Sequence, residues 1–114
     1  MNFFKQDADA GGCAALSQRI DGVATLLGST TGITYCRYYE NECELKLTVT
    51  ETNAIVEQNG VEILNVAVGS VEGRIGLNAW GNTGANFRNL QVVDSGKIFT
   101  WIERSSKNIS FFKL

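Results

Sequence analysis

The sequence predicts an all-β chain folded as an antiparallel β-sandwich, and three observations carry that prediction. Cys43, Leu45, Leu47 and Val49 alternate with Glu42, Glu44, Lys46, Thr48 and Thr50, the period of two that belongs to a strand with one buried and one wet face. Asn59-Gly60 and Asp21-Gly22 each sit between apolar segments, where a two-residue hairpin needs positive φ at both central positions. No window carries a convincing helical stripe. Cys13 to Ile20 comes nearest, since its Ala and Leu residues tolerate helix as well as strand.

In chain order, Ala14 to Ile20 and Val23 to Leu27 flank Asp21-Gly22 as a first hairpin. The strand at Cys43 to Val49 passes through Glu51-Thr52-Asn53 into Ala54 to Gln58, which returns across Asn59-Gly60 as Val61 to Val66. Gly73 to Ala79 and Phe87 to Val93 are two further strands, joined by the glycine-containing segment Trp80 to Asn86. Ile75, Leu77 and Ala79 share a face, and Phe87, Leu90 and Val92 would cover the same core. The three-residue step from Phe87 to Leu90 breaks alternation and predicts a β-bulge near Arg88-Asn89. Gly73 and Gly76 mark a close approach or a bend. Lys97 to Glu103 and Ile109 to Lys113 read as a last hairpin about Ser105-Ser106-Lys107-Asn108. Short strands at regular spacing suit a sandwich or barrel. Without repeats, low-complexity tracts or linkers, residues 1–114 read as a single domain.

The 114 residues suffice for a core without metals or staples, and 44% hydrophobic with 19% charged residues is a globular composition. A net charge of -2 gives no drive toward nucleic acid or anionic membrane. The charge is uneven: Lys97, Arg104, Lys107 and Lys113 against Glu103 leave the last segment three positive, so the preceding chain is about five negative. The absence of histidine removes the commonest general base and metal ligand. Cys13, Cys36 and Cys43 lack zinc-type spacing and read as three reduced, half-buried thiols. One bridge plus a free thiol is the alternative in a secreted protein. The amino terminus carries no apolar run of signal-peptide length, and no stretch approaches the roughly 20 apolar residues of a membrane span. As written, the chain is expected to be soluble and cytoplasmic.

Gly73, Arg74, Ile75, Gly76 and Leu77, followed by Phe87, Asn89, Leu90 and Val92, resemble the closing strands of concanavalin A-like jelly rolls, especially laminin-G-like bacterial domains attached to carbohydrate-active enzymes. The stretch from Glu42 to Val66 and the hairpin from Ala14 to Leu27 are similar to earlier strands of the same domains, so the resemblance covers roughly Phe3 to Val93. It implies a partial jelly roll over residues 3–93, truncated at its amino terminus, with residues 94–114 as an extra C-terminal hairpin. A sandwich lacking strands leaves an open edge. Ile98, Phe99, Trp101, Ile102, Phe111 and Phe112 are too apolar for a free tail. Either that tail or a second copy fills the gap, and a homodimer about a two-fold axis is the expectation. Phe99, Trp101, Phe111 and Phe112 are its interface candidates.

The ligand-binding candidates are Trp80, Asn78 and Asn82, an aromatic face with amides that suits sugars, and Tyr35, Arg37, Tyr38 and Tyr39, the composition of interface hot spots. Trp80 also suits the rim of a core, and the tyrosines a loop folded over one end. Glu40, Glu42 and Glu44 share a strand face and could pair as the carboxylates of a glycosidase, but they face away from Leu45 and Leu47, where nothing would raise a pKa. Phe99 and Trp101 beside Lys97, Arg104 and Lys107 loosely match a single-strand nucleic-acid platform, yet a core or interface explains them better. Asp7 and Asp9 lack a third calcium ligand. No metal or cofactor is expected, no nucleic-acid or membrane partner, and no catalytic residue. The function expected is a non-enzymatic binding or interaction module, with carbohydrate the ligand implied by the resemblance. The alternatives are a fragment or accessory domain of a carbohydrate-active protein with no ligand of its own, or, last, a glycoside hydrolase.

Overall fold

Ten strands form two antiparallel sheets packed face to face in the computed structural model, which describes residues 2–6, 12–20, 23–33, 42–68, 75–80, 86–93, 97–104 and 108–113. They are β1 (Asn2–Gln6), β2 (Gly12–Ile20), β3 (Val23–Ile33), β4 (Cys43–Val49), β5 (Asn53–Gln58), β6 (Val61–Ala67), β7 (Ile75–Trp80), β8 (Asn86–Val93), β9 (Ile98–Arg104) and β10 (Asn108–Lys113). The first sheet runs β3-β2-β1-β10-β7 and the second β6-β5-β4-β9-β8. The all-β sandwich expected from the sequence is what the chain forms. Each sheet starts as a three-stranded meander, β1 to β3 or β4 to β6, and is then extended by two of the last four strands.

Local chemistry explains the meanders. Asn59 and Gly60 hold φ of 52° and 79°, the double positive that an Asn-Gly turn supplies, and Gln58 faces Val61 directly. Ile20 faces Val23 across Asp21-Gly22, so the ambiguous Cys13 to Ile20 window is strand. Thr50 closes the β4–β5 connection: its amide donates to the Asn53 carbonyl at 2.8 Å, and its Oγ1 accepts from the Asn53 amide at 2.9 Å. Alternation then fills the core. Cys43, Leu45, Leu47 and Val49 of β4 and Ala54 and Val56 of β5 are buried, while Glu44 is exposed and Lys46 and Thr48 are half-buried. Ala14 and Leu16 of β2, Leu64 and Val66 of β6, and Phe99 and Trp101 of β9 complete it. Gly28 of β3 lets the sheets approach, since a Cβ there would meet Val66 Cγ1 at 2.4 Å.

Several expectations need correction. The last two strands do not pair with each other as a hairpin: β9 lies between β4 and β8, and β10 between β1 and β7. The apolar face of β9, Phe99 and Trp101, is therefore absorbed within the chain's own core. Residues 94–114 supply an inner strand to each layer, β9 to the second sheet and β10 to the first. Phe99 and Trp101, offered as interface candidates, are 1% and 0% exposed, which leaves neither side chain a surface for a partner. Phe111 and Phe112 lie on β10, and their side chains are outside the described set. Residues β7 and β8, read as a closing pair, belong to different sheets, each as an outermost strand. Of the three β8 residues expected to cover the core, Phe87 packs against it, but Leu90 and Val92 are 43% and 48% exposed, because an edge strand is covered on one side only. Two features were not anticipated: β1 at Asn2–Gln6, and the extension of β3 to Ile33.

Cys43 is disulfide-bonded, contrary to three reduced thiols. Its partner is one of the chain's other two cysteines, Cys13 or Cys36, by the count of three.

Candidate functional site

The predicted bulge at Arg88-Asn89 is present and shapes the one concavity we single out. Arg88 faces Ile102 and Gln91 faces Thr100, so Asn89 and Leu90 together oppose Trp101. Asn89 takes φ of 56°, a left-handed conformation that asparagine tolerates better than most residues. Beside it lies a shallow hollow of about 110 Å³, lined by Glu44, Asn89, Gln91, Thr100, Trp101 and Ile102. Register explains the grouping. Glu44 faces Ile102 and Lys46 faces Thr100, so β4, β9 and β8 present these residues on the outer face of the second sheet, opposite the Leu45–Trp101 core row. Trp101, fully buried, forms the floor.

Glu44 is fixed through its backbone. Its carbonyl accepts from the Asn59 amide at 2.8 Å, and its amide donates to Asn59 Oδ1 at 2.9 Å. Its carboxylate stands exposed on the outer face. Glu42, two residues earlier, is engaged by the Arg88 guanidinium, and Lys46 meets Glu57 at 3.9 Å on the neighbouring strand. Of the alternating carboxylates, Glu42 is thus committed to an ion pair, Glu44 lines the hollow, and Glu40 lies outside the described residues. The hollow holds one carboxylate, so the paired acid and base of a glycosidase are not assembled among its lining residues. It offers instead an acceptor, two amides and a hydroxyl around an isoleucine, groups that can hydrogen-bond hydroxyls and cover an apolar ring face. Among the described residues no three His, Cys, Asp or Glu side chains stand together as metal ligands.

The remaining candidates belong to a strand and to segments that meet one end of the sandwich. The register puts Ile33, Cys43, Trp80, Asn86, Arg104 and Asn108 at one end of the sandwich. The three residues between Arg104 and Asn108 keep the matching ends of the two sheets within about 14 Å. Segment 34–42, which carries Tyr35, Arg37, Tyr38 and Tyr39, and segment 81–85, which carries Asn82, both start and finish there; those residues lie outside the described set. Asn78 and Trp80 lie on β7, at and near the same end, with only their backbone described. Sequence reasoning missed Asn89, Gln91, Thr100 and Ile102 as a group. The bulge was legible in the Phe87-to-Leu90 step, but its facing strand was not, because β9 had been paired with β10.

Comparison with known proteins returns no match: no family model, no curated protein and no solved structure.

Proposed function

We propose that this protein is a non-enzymatic binding module for a hydroxyl-rich ligand, carbohydrate in the first instance, held on the outer face of the second sheet. The observation that carries the reading is the bulge hollow, where Glu44, Asn89, Gln91 and Thr100 converge around Ile102. At about 110 Å³ it is smaller than the roughly 300–1,000 Å³ of enclosed small-molecule pockets, so it would grip one edge of a single sugar ring and leave the rest in solvent. Its polar groups come from three adjacent strands whose spacing is set by backbone pairing, so they are positioned before a ligand arrives. The Cys43 disulfide favours an oxidising compartment over the cytoplasm.

A glycan array followed by calorimetry on the best hit tests this. Gln91→Ala and Glu44→Gln should each weaken binding about tenfold, the worth of one good hydrogen bond, with the sheet signal unchanged. Trp80→Ala should weaken only longer glycans. A folded wild-type protein that retains no glycan, or one whose binding ignores Gln91 and Glu44, overturns the reading.

A further inference from the structure

Each sheet has two outermost strands, and three of the four are visibly interrupted. In β3 the register skips Leu27 and Gly32. In β6 it skips Ile63, beside the exposed Glu62. In β8 it skips Asn89 and Leu90, beside the charged Arg88. Every one of these extra residues lies on the edge strand and not on its inner neighbour. Bulges and charges of this kind are how sheets prevent their free edges from templating another strand.

The fourth edge has none of them. Strand β7 pairs with β10 residue for residue, from Ile75 opposite Lys113 to Trp80 opposite Asn108. Its six residues, Ile-Gly-Leu-Asn-Ala-Trp, include no charge and no proline. Among the described residues its other side has no partner strand.

We propose that the outer edge of β7 is the surface through which two copies of this chain associate, antiparallel about a two-fold axis, joining their first sheets into one continuous sheet. A second copy is the occupant because an uncharged edge meets itself without like-charge repulsion, and an antiparallel edge is self-complementary. Symmetry also restricts the register. Facing residues must both turn their N–H and C=O toward the partner, or both away. On identical strands this places a residue opposite its own counterpart, so Leu77 faces Leu77 or Asn78 faces Asn78. The interface is isologous and closes at two. It lies on the sheet that does not carry the bulge hollow, so it stands independently of the ligand reading.

Sedimentation velocity and hydrogen exchange on the full chain test it. The expected result is a particle of twice the chain mass at micromolar concentration. Alternate amides of Ile75–Trp80 should lose protection on dilution, while those of β4 keep it. Asn78→Lys should give a monomer with unchanged sheet signal. A wild-type monomer at the highest soluble concentration overturns the proposal. So does a dimer whose Ile75–Trp80 amides ignore dilution, a measurement that stands even if Asn78→Lys fails to fold. A dimer broken by Val93→Asp but not by Asn78→Lys would place the contact on the exposed Leu90, Val92 and Val93 surface instead, and overturns it equally.

Discussion

Gly28 and Val66 touch across the two sheets so closely that a single methyl group on residue 28 would stand 2.4 Å from Val66 Cγ1. Gly28 is not among the residues at positive φ, so its smallness, and not its backbone freedom, is what the fold uses. Gly28→Ala should cost about 1–3 kcal/mol through overpacking. Val66→Ala should cost a similar amount by emptying the same contact. The double variant should be more stable than the sum of the two losses, read from urea denaturation as a double-mutant cycle. Simple additivity would mean the sheets separate freely at this point.

Asn59 does two things at the β5–β6 turn, and two substitutions separate them. Asn59→Gly keeps the positive φ but removes the Oδ1 acceptor of the Glu44 amide, at about 1 kcal/mol. Asn59→Ala removes the same acceptor and also the asparagine side chain that makes the left-handed region tolerable for a residue with a Cβ, adding about 1 kcal/mol. Stability should fall in the order wild type, Asn59→Gly, Asn59→Ala. Equal losses would assign no role to the turn conformation.

Cys43 is bonded at the start of β4, so intact-mass analysis should find one bridge and one alkylatable thiol. Cys43→Ser should cost about 2–4 kcal/mol and lower the melting temperature to that of the wild type in reductant. A melting temperature that reductant leaves unchanged would contradict a structural bridge.

Trp101 is the largest fully buried side chain described. Trp101→Ala should lose about 3–5 kcal/mol by opening a cavity, with no change in association state while the protein is folded. Dissociation of an oligomer at unchanged stability would return Trp101 to an interface.

Much of this architecture was legible because short-range physics decides it. The alternation of Cys43 to Val49, the Asn59-Gly60 turn and the broken step at Phe87 to Leu90 each depend on residues within one strand or one hairpin, and each stands where the sequence put it. What failed was long-range pairing. Nothing in Lys97 to Lys113 shows that its two halves part company, one entering between β4 and β8 and the other between β1 and β7, because the short Ser-Ser-Lys connection suits a hairpin and a crossing between sheets alike. The bulge hollow was lost for the same reason. Asn89 and Gln91 were visible on one strand, but Thr100 and Ile102 join them only once β9 is known to be the neighbour. The disulfide ran against the sequence reading of three reduced thiols, since three cysteines without pair spacing do not show which of them the fold brings together.

The strand order also dictates a timetable. During synthesis the chain presents β1 to β3 and then β4 to β6, two meanders whose inner strands, β1 and β4, each wait with one side unsatisfied. Both vacancies are filled by β9 and β10, more than a hundred residues after β1 for one and some fifty after β4 for the other, by the strand positions. Closing loops of that length makes folding slow relative to a helical chain of the same size. Until then two apolar sheet faces and their inner edges are open to other nascent chains. The finished sandwich closes both inner edges, so the hazard belongs to the nascent chain and not to the folded one.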